Sequence, residues 1–159
     1  MQVAADAVRA ASVSHAFAGI DDNGTPAILH TSGNPDGHVI LRGGKDAPNY
    51  GPDGVSHALE TLRASGLPER LVIDASHDNS AKDPERQVVA ATSIAEQVGA
   101  PNPAIVGVML ESFLVGGKQT FDRAAELTYG QSITDACIDW DQTVIVLDRL
   151  AAAVRARRR

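Results

Sequence analysis

Three apolar runs of this chain each lead into a side chain capable of polar chemistry. Ile40-Leu41-Arg42 ends on a guanidinium, Leu71-Val72-Ile73-Asp74-Ala75-Ser76-His77 on an imidazole, and Ile105-Val106-Gly107-Val108-Met109-Leu110-Glu111 on a carboxylate. Asp135 supplies a second carboxylate. His77, Glu111 and Asp135 together form a mixed nitrogen and oxygen donor set, suited to a divalent ion such as Mn²⁺, Fe²⁺, Co²⁺ or Zn²⁺. Taken singly, each has an ordinary alternative: an interior hydrogen-bonded histidine, an acid at a strand end in water, and a turn aspartate. Arg42 lies within Leu41-Arg42-Gly43-Gly44-Lys45. There two glycines let the backbone approach an anion, and the guanidinium can grip a phosphate bidentately or pair with a surface acid.

The elements that would position these groups follow from the spacing. From Arg42 to His77 is 35 residues and from His77 to Glu111 is 34, each interval holding a turn and an amphipathic helical pattern. That is the rhythm of successive β/α units in a parallel barrel, where chemistry sits at the carboxyl ends of the strands. Val55, Ala58, Leu59 and Leu62 form one apolar helical stripe, stopped by Gly66 and Pro68. Val88, Ala91, Ala95 and Val98 form a second, with Asp83 as N-cap, Pro84 at the first helical position and Gly99 as its stop. Val144, Leu147, Ala151 and Val154 form a third. Ahead of the barrel-type strands, Val3, Ala4, Ala7, Val8 and Ala11 repeat at helical spacing from the initiator onward, as if the chain entered partway through a helix. Residues 14–31 read as an inserted β-hairpin turning at Asp21-Asp22-Asn23-Gly24, whose Asn-Gly pair favours positive φ. Residues 112–140 carry no strong periodicity and read as a long, functional loop.

Composition narrows the function classes. A chain of 159 residues suffices for one core but not for a complete eight-stranded barrel, which takes at least about 200 residues. The expected fold class is therefore α/β, an incomplete (β/α)8 barrel comprising the last three β/α units plus an N-terminal helix and hairpin, within a single domain over residues 1–159. With 43% hydrophobic residues, 21% charged residues and a net charge of −6, the chain does not suit a nucleic-acid partner. The basic cluster at Arg155, Arg157, Arg158 and Arg159 sits where cations complement a helix C-terminus. One cysteine, Cys137, rules out an intramolecular disulfide framework. No signal peptide or membrane span is evident, so the expected compartment is the cytoplasm. Cys137 reads as packing, and His15, His30, His38 and His57 as structural or exposed.

Four ordered motifs carry a family resemblance over essentially the whole chain. They are Leu41-Arg42-Gly43-Gly44-Lys45 with Pro48-Asn49-Tyr50, Ile73-Asp74-Ala75-Ser76-His77-Asp78-Asn79-Ser80, Gly107-Val108-Met109-Leu110-Glu111-Ser112, and Tyr129-Gly130-Gln131-Ser132-Ile133-Thr134-Asp135-Ala136-Cys137. In this order the chain resembles the carboxyl-terminal portion of type I 3-deoxy-D-arabino-heptulosonate 7-phosphate (DAHP) synthases. The resemblance implies the first step of the shikimate pathway, leading to chorismate and the aromatic amino acids: condensation of phosphoenolpyruvate with erythrose 4-phosphate, releasing phosphate. A divalent metal would act as Lewis acid on the aldehyde. By motif, His77, Glu111 and Asp135 carry over as metal ligands. Arg42 carries over as a contact to the phosphoenolpyruvate phosphate, with His77 beside it at the substrate, whereas Lys45 has no assured counterpart.

Members of that family are roughly twice as long. Their amino-terminal portion brings the earlier barrel strands, a cysteine metal ligand and further cations for the substrates, none of which this sequence contains. The expectation is a truncated or split reading frame, inactive as an isolated monomer, that works as a homo-oligomer or with a complementary N-terminal half. A non-catalytic module docking on an intact synthase is the alternative. A different metal-dependent phosphosugar aldolase is disfavoured by the Ser132 to Cys137 motif.

Overall fold

A three-stranded parallel sheet leads into Arg42, His77 and Glu111. Its short strands are rich in Val, Ile and Leu, with Val39, Leu41, Leu71, Ile73 and Ile105 buried and Ile40 and Val106 exposed. The computed structural model describes residues 1–44, 46–101, 103–122 and 126–158; Lys45 and Arg159 lie outside the described residues. In chain order the elements are α1 (Gln2–Ser12), β1 (His15–Ile20), β2 (Pro26–Thr31), β3 (Val39–Leu41), α2 (Pro52–Ala64), β4 (Leu71–Asp74), a 3₁₀ turn (His77–Asn79), α3 (Pro84–Gly99), β5 (Ile105–Met109), β6 (Val115–Lys118), β7 (Gln131–Ser132) and α4 (Trp140–Arg157). The parallel sheet has the order β3-β4-β5, with Leu41 level with Ile73 and Ile73 level with Val108. Two of its connections run through α2 and α3, so the predicted β/α rhythm is present.

Helix ends follow the local chemistry. Asp83 accepts a hydrogen bond from the Glu85 N–H (2.9 Å) ahead of Pro84, and Asp139 accepts one from the Gln142 N–H (2.8 Å) to start α4. Helix α2 stops in a Schellman arrangement: Gly66, at φ +67°, donates to the Arg63 carbonyl, and Leu67 donates to that of Leu62. Leu41, Leu62, Leu71, Ile73, Ile94, Ile105 and Ile138 lie in one buried cluster that joins the sheet to α2, α3 and α4.

Several expectations need correction. The strands stop before the reactive residues, at Leu41, Asp74 and Met109, so Arg42, His77 and Glu111 sit on the first turns beyond them. In the hairpin, Gly24 has φ +80° while Asn23 does not enter the left-handed region. Its tight loop is held instead by Asp21, whose carboxylate accepts from the Asn23 and Thr25 N–H groups. Residues 112–140 are not purely loop. Strands β6 and β7 pair in parallel there, and bridges tie Ser112 to Ile138 and Gly117 to Cys137. On α4, Val144 and Leu147 face outward at 40% and 47% exposure, while Thr143 and Val146 form the buried face. No helix among the described residues is long and apolar enough to cross a membrane.

Candidate functional site

Beyond β4 the chain makes its sharpest excursion. His77 has φ +48°, and Ala81 and Lys82 follow at +52° and +60°, all in the left-handed region that costs a residue with a Cβ about 1 kcal/mol or more. The turn is secured from both sides. The Lys82 N–H donates to the His77 carbonyl (2.7 Å), and the imidazole is drawn back onto Asp74, the last residue of β4, with Nδ1 2.6 Å from Oδ2. Asp74 is 2% exposed, and its other oxygen accepts from the Ser76 N–H (2.8 Å) and hydroxyl (2.5 Å).

With Nδ1 engaged, the other ring nitrogen points at the two carboxylates. Nε2 is 3.8 Å from Glu111 Oε1 and 3.8 Å from Asp135 Oδ2. One donor atom from each of His77, Glu111 and Asp135 lies within 4.8 Å of the others. Metal–ligand bonds of about 2.0–2.2 Å place donors about 3–4 Å apart, so the set fits a divalent ion after small side-chain adjustments. These three predicted residues are therefore brought together. All three are partly open to solvent, and Ser76, Ser80, Lys82, Gln87 and Ala136 line the same cleft.

Glu111 is fixed through its backbone. The buried Gln87 on α3 donates from Nε2 to the Glu111 carbonyl (3.0 Å) and accepts the Glu111 N–H at Oε1 (2.6 Å). Asp135 is delivered by the β7 connection, two residues before Cys137, whose thiol donates weakly to the Asp135 carbonyl (3.5 Å). Burial pushes the Cys137 thiol up from its ordinary pKa, the Glu111 and Asp135 carboxylates add to this, and a hydrogen bond with Ser132 opposes it. The thiol form is thereby favoured.

Arg42 is not part of this cluster's lining. It is exposed at the end of β3 and makes no ion pair with a described residue. Its loop is nonetheless tied to the His77 turn through Asn79, 5% exposed. The Asn79 side-chain amide donates to the Leu41 (3.1 Å) and Asp74 (2.7 Å) carbonyls, its Oδ1 accepts the Asn49 N–H (2.7 Å), and its own N–H donates to the Arg42 carbonyl (3.2 Å). Asn49 in turn accepts the Gly43 N–H (2.8 Å). Gly43, at φ +85°, has no room for a Cβ, which would stand 2.6 Å from the Asn79 nitrogen. Sequence reasoning did not single out Asp74, Asn79 or Gln87. Two of these sit inside the four motifs, and the signal that would have found them is a polar residue at a position the pattern marks as buried.

With this geometry in hand, comparison with known proteins is decisive. A model of the DAHP synthetase I family matches residues 1–148. The chain belongs to the DAHP synthetase I family. It is 47% identical over 156 residues to the Trp-sensitive phospho-2-dehydro-3-deoxyheptonate aldolase of Escherichia coli, covering 98% of this chain and 44% of that protein. It is 48% identical over 165 residues to a phospho-2-dehydro-3-deoxyheptonate aldolase of Corynebacterium glutamicum, covering 99% and 44% respectively. The solved phospho-2-dehydro-3-deoxyheptonate aldolase of Francisella tularensis superposes with a TM-score of 0.93 at 43% identity, over 99% of this chain and 46% of that one. The chain thus spans a little under half the length of the DAHP synthetase I relatives it matches.

Proposed function

We propose that this chain carries the metal-binding portion, and part of the phosphate-binding portion, of a 3-deoxy-7-phosphoheptulonate synthase. The reaction joins phosphoenolpyruvate to D-erythrose 4-phosphate, giving DAHP and phosphate. The observation that carries the reading is the convergence of His77, Glu111 and Asp135 on one point beyond the parallel sheet. A divalent ion held there, Mn²⁺, Fe²⁺, Co²⁺ or Zn²⁺, supplies Lewis-acid polarisation of the erythrose 4-phosphate aldehyde. The chain's own residues do the positioning. His77 presents Nε2, Glu111 and Asp135 present oxygens, and Arg42 offers two parallel N–H groups to the phosphoenolpyruvate phosphate from a loop braced by Asn49 and Asn79.

The three-stranded sheet reads as an arc of a (β/α)8 barrel, with the site at its carboxyl-terminal edge. Two observations support an arc that works only with further chain. Ile40 and Val106 on the strands are 45% and 55% exposed, and Ile145 on α4 is 54% exposed. Apolar positions on central elements are normally covered. Activity accordingly belongs to an assembly, formed either as a homo-oligomer or with a polypeptide carrying the remaining portion, and the isolated chain is inactive.

Phosphate release from phosphoenolpyruvate and erythrose 4-phosphate with Mn²⁺ tests this. The chain is assayed alone and after mixing with a separately expressed segment covering the rest of a relative. Activity in the mixture alone, lost on Glu111→Gln, supports the reading. Association of the two without activity favours instead a non-catalytic docking module, for which the exposed apolar positions are the supporting observation. Absence of both overturns each.

A further inference from the structure

His77 offers two nitrogens, and nothing in its identity decides which one faces the site. The surroundings of Nδ1 decide it. Asp74 Oδ2 lies 2.6 Å away and the Ser76 oxygen 2.9 Å away. The Ser76 hydroxyl proton is directed to Asp74 Oδ1 at 2.5 Å, so Ser76 also meets the ring as an acceptor. Two acceptors against one nitrogen require that nitrogen to carry the proton. An unprotonated Nδ1 would set its lone pair against a carboxylate that is 2% exposed.

We infer that Asp74 is a positioning residue of the metal site: it holds His77 in the Nδ1–H tautomer and thereby presents Nε2, as a lone pair, to an ion shared with Glu111 and Asp135. The inference rests on the metal reading of that cluster. Carboxylate–imidazole pairs of this kind fix ring orientation and increase ligand basicity. Asp74 itself is sealed from solvent and does not line the cleft, so it touches neither ion nor substrate. Asp74 also closes β4, so the strand end and the ligand's orientation are set by the same residue.

Replacement by asparagine isolates this role. Asp74→Asn preserves shape and keeps an oxygen to accept from Ser76, but it turns a strong acceptor facing Nδ1 into an amide donor. The ring then relieves the clash by moving its proton to Nε2, which removes the lone pair the ion needs.

The experiment has two readouts. Imidazole ¹⁵N shifts, recorded on metal-free protein and assigned by comparison with His77→Gln, should show Nδ1–H in the unsubstituted chain and Nε2–H in Asp74→Asn. Mn²⁺ titration should show affinity falling about 10–100-fold in Asp74→Asn. Ser76→Ala, which leaves the Asp74–His77 bond in place, should keep the Nδ1–H tautomer. An Nε2–H tautomer in the unsubstituted chain overturns the inference and needs no variant to be seen. So does unchanged Mn²⁺ affinity in a folded Asp74→Asn. Failure of the unsubstituted chain to bind Mn²⁺ both alone and mixed with the complementary segment overturns the metal reading itself, and is recognised separately because the tautomer is read without metal.

Discussion

The side-chain amide of Gln87 satisfies both backbone hydrogen-bonding groups of Glu111, donating to its carbonyl at 3.0 Å and accepting its N–H at 2.6 Å. It does so from α3, the helix that follows β4, so the helix after one strand fixes the residue that follows the next. Gln87→Met keeps the length of the side chain and loses both bonds. The Ile138 N–H still reaches the Glu111 carbonyl (3.0 Å), but the Glu111 N–H loses its partner. A buried donor left unmade costs about 1–3 kcal/mol, so urea unfolding should show a loss in that range. Mn²⁺ affinity should also fall about tenfold as Glu111 drifts. A stability loss with unchanged affinity would mean that Gln87 supports the fold alone.

Asn79 has a comparable position between β3 and β4, with its amide donating to one carbonyl on each side. Asn79→Asp is nearly isosteric and inverts the polarity, setting a buried carboxylate against the Leu41 and Asp74 carbonyl oxygens. The expected cost is about 3–5 kcal/mol near neutral pH, the usual cost of an uncompensated buried charge. Denaturant midpoints measured on the variant would check this. A loss below about 1 kcal/mol would mean that water reaches the site and that the turn is less rigidly held than its bonds indicate.

The parts of the fold legible in the sequence were those written in periodicity and caps. Asp83-Pro84 and Gly66 announced helix ends because capping is local chemistry, and the short Val/Ile/Leu runs announced strands because β-branched and aliphatic residues suit a pleated sheet. His77 and Glu111 were legible as reactive residues at a regular spacing after apolar runs, whereas Asp135 was legible only by its type and its motif. The bracing around them was not. Gln87 lies on a helix whose stripe was read from aliphatic residues alone, so a buried amide passed as a surface position. Strands β6 and β7 are four and two residues long and contain Gly116, Gly117, Gln131 and Ser132, which offer no alternation to read. On α4, two rows of apolar residues compete, and Val146 rather than Val144 or Leu147 faces the core.

Two glycines with nearly the same backbone should respond very differently to alanine. Gly24 in the hairpin loop has φ +80°, and a methyl group added there would meet no atom within 4 Å. Gly43 has φ +85°, and the same methyl would stand 2.6 Å from the Asn79 nitrogen and the Asp78 carbonyl carbon. Gly24→Ala therefore costs only the left-handed conformation, about 1–2 kcal/mol. Gly43→Ala must also displace the His77–Asn79 turn. Thermal unfolding should show the larger loss for Gly43→Ala, and Mn²⁺ binding should weaken in that variant alone. Equal losses would show that the Arg42 loop shifts freely and is not coupled to the His77 turn.

Glu111 and Asp135 give the last prediction, because their two effects on stability have opposite signs. Without an ion, two carboxylates facing one cleft repel, by about 1 kcal/mol at the dielectric of water. Asp135→Asn removes that repulsion, so the metal-free variant should be as stable as the unsubstituted chain or slightly more so. With Mn²⁺ present the order reverses. An ion at about a hundred times its dissociation constant stabilises the folded state by about 2.7 kcal/mol, and the variant, short of one anionic ligand, gains much less. Melting curves with and without Mn²⁺, followed by chelator, should therefore cross between the two proteins. If Mn²⁺ stabilises both equally, Asp135 is not a ligand and its approach to His77 reflects only the loop's packing. If Mn²⁺ stabilises neither, alone or in the presence of the complementary segment, the cluster is an acidic cleft holding a histidine, and the ion would have to be held by other groups.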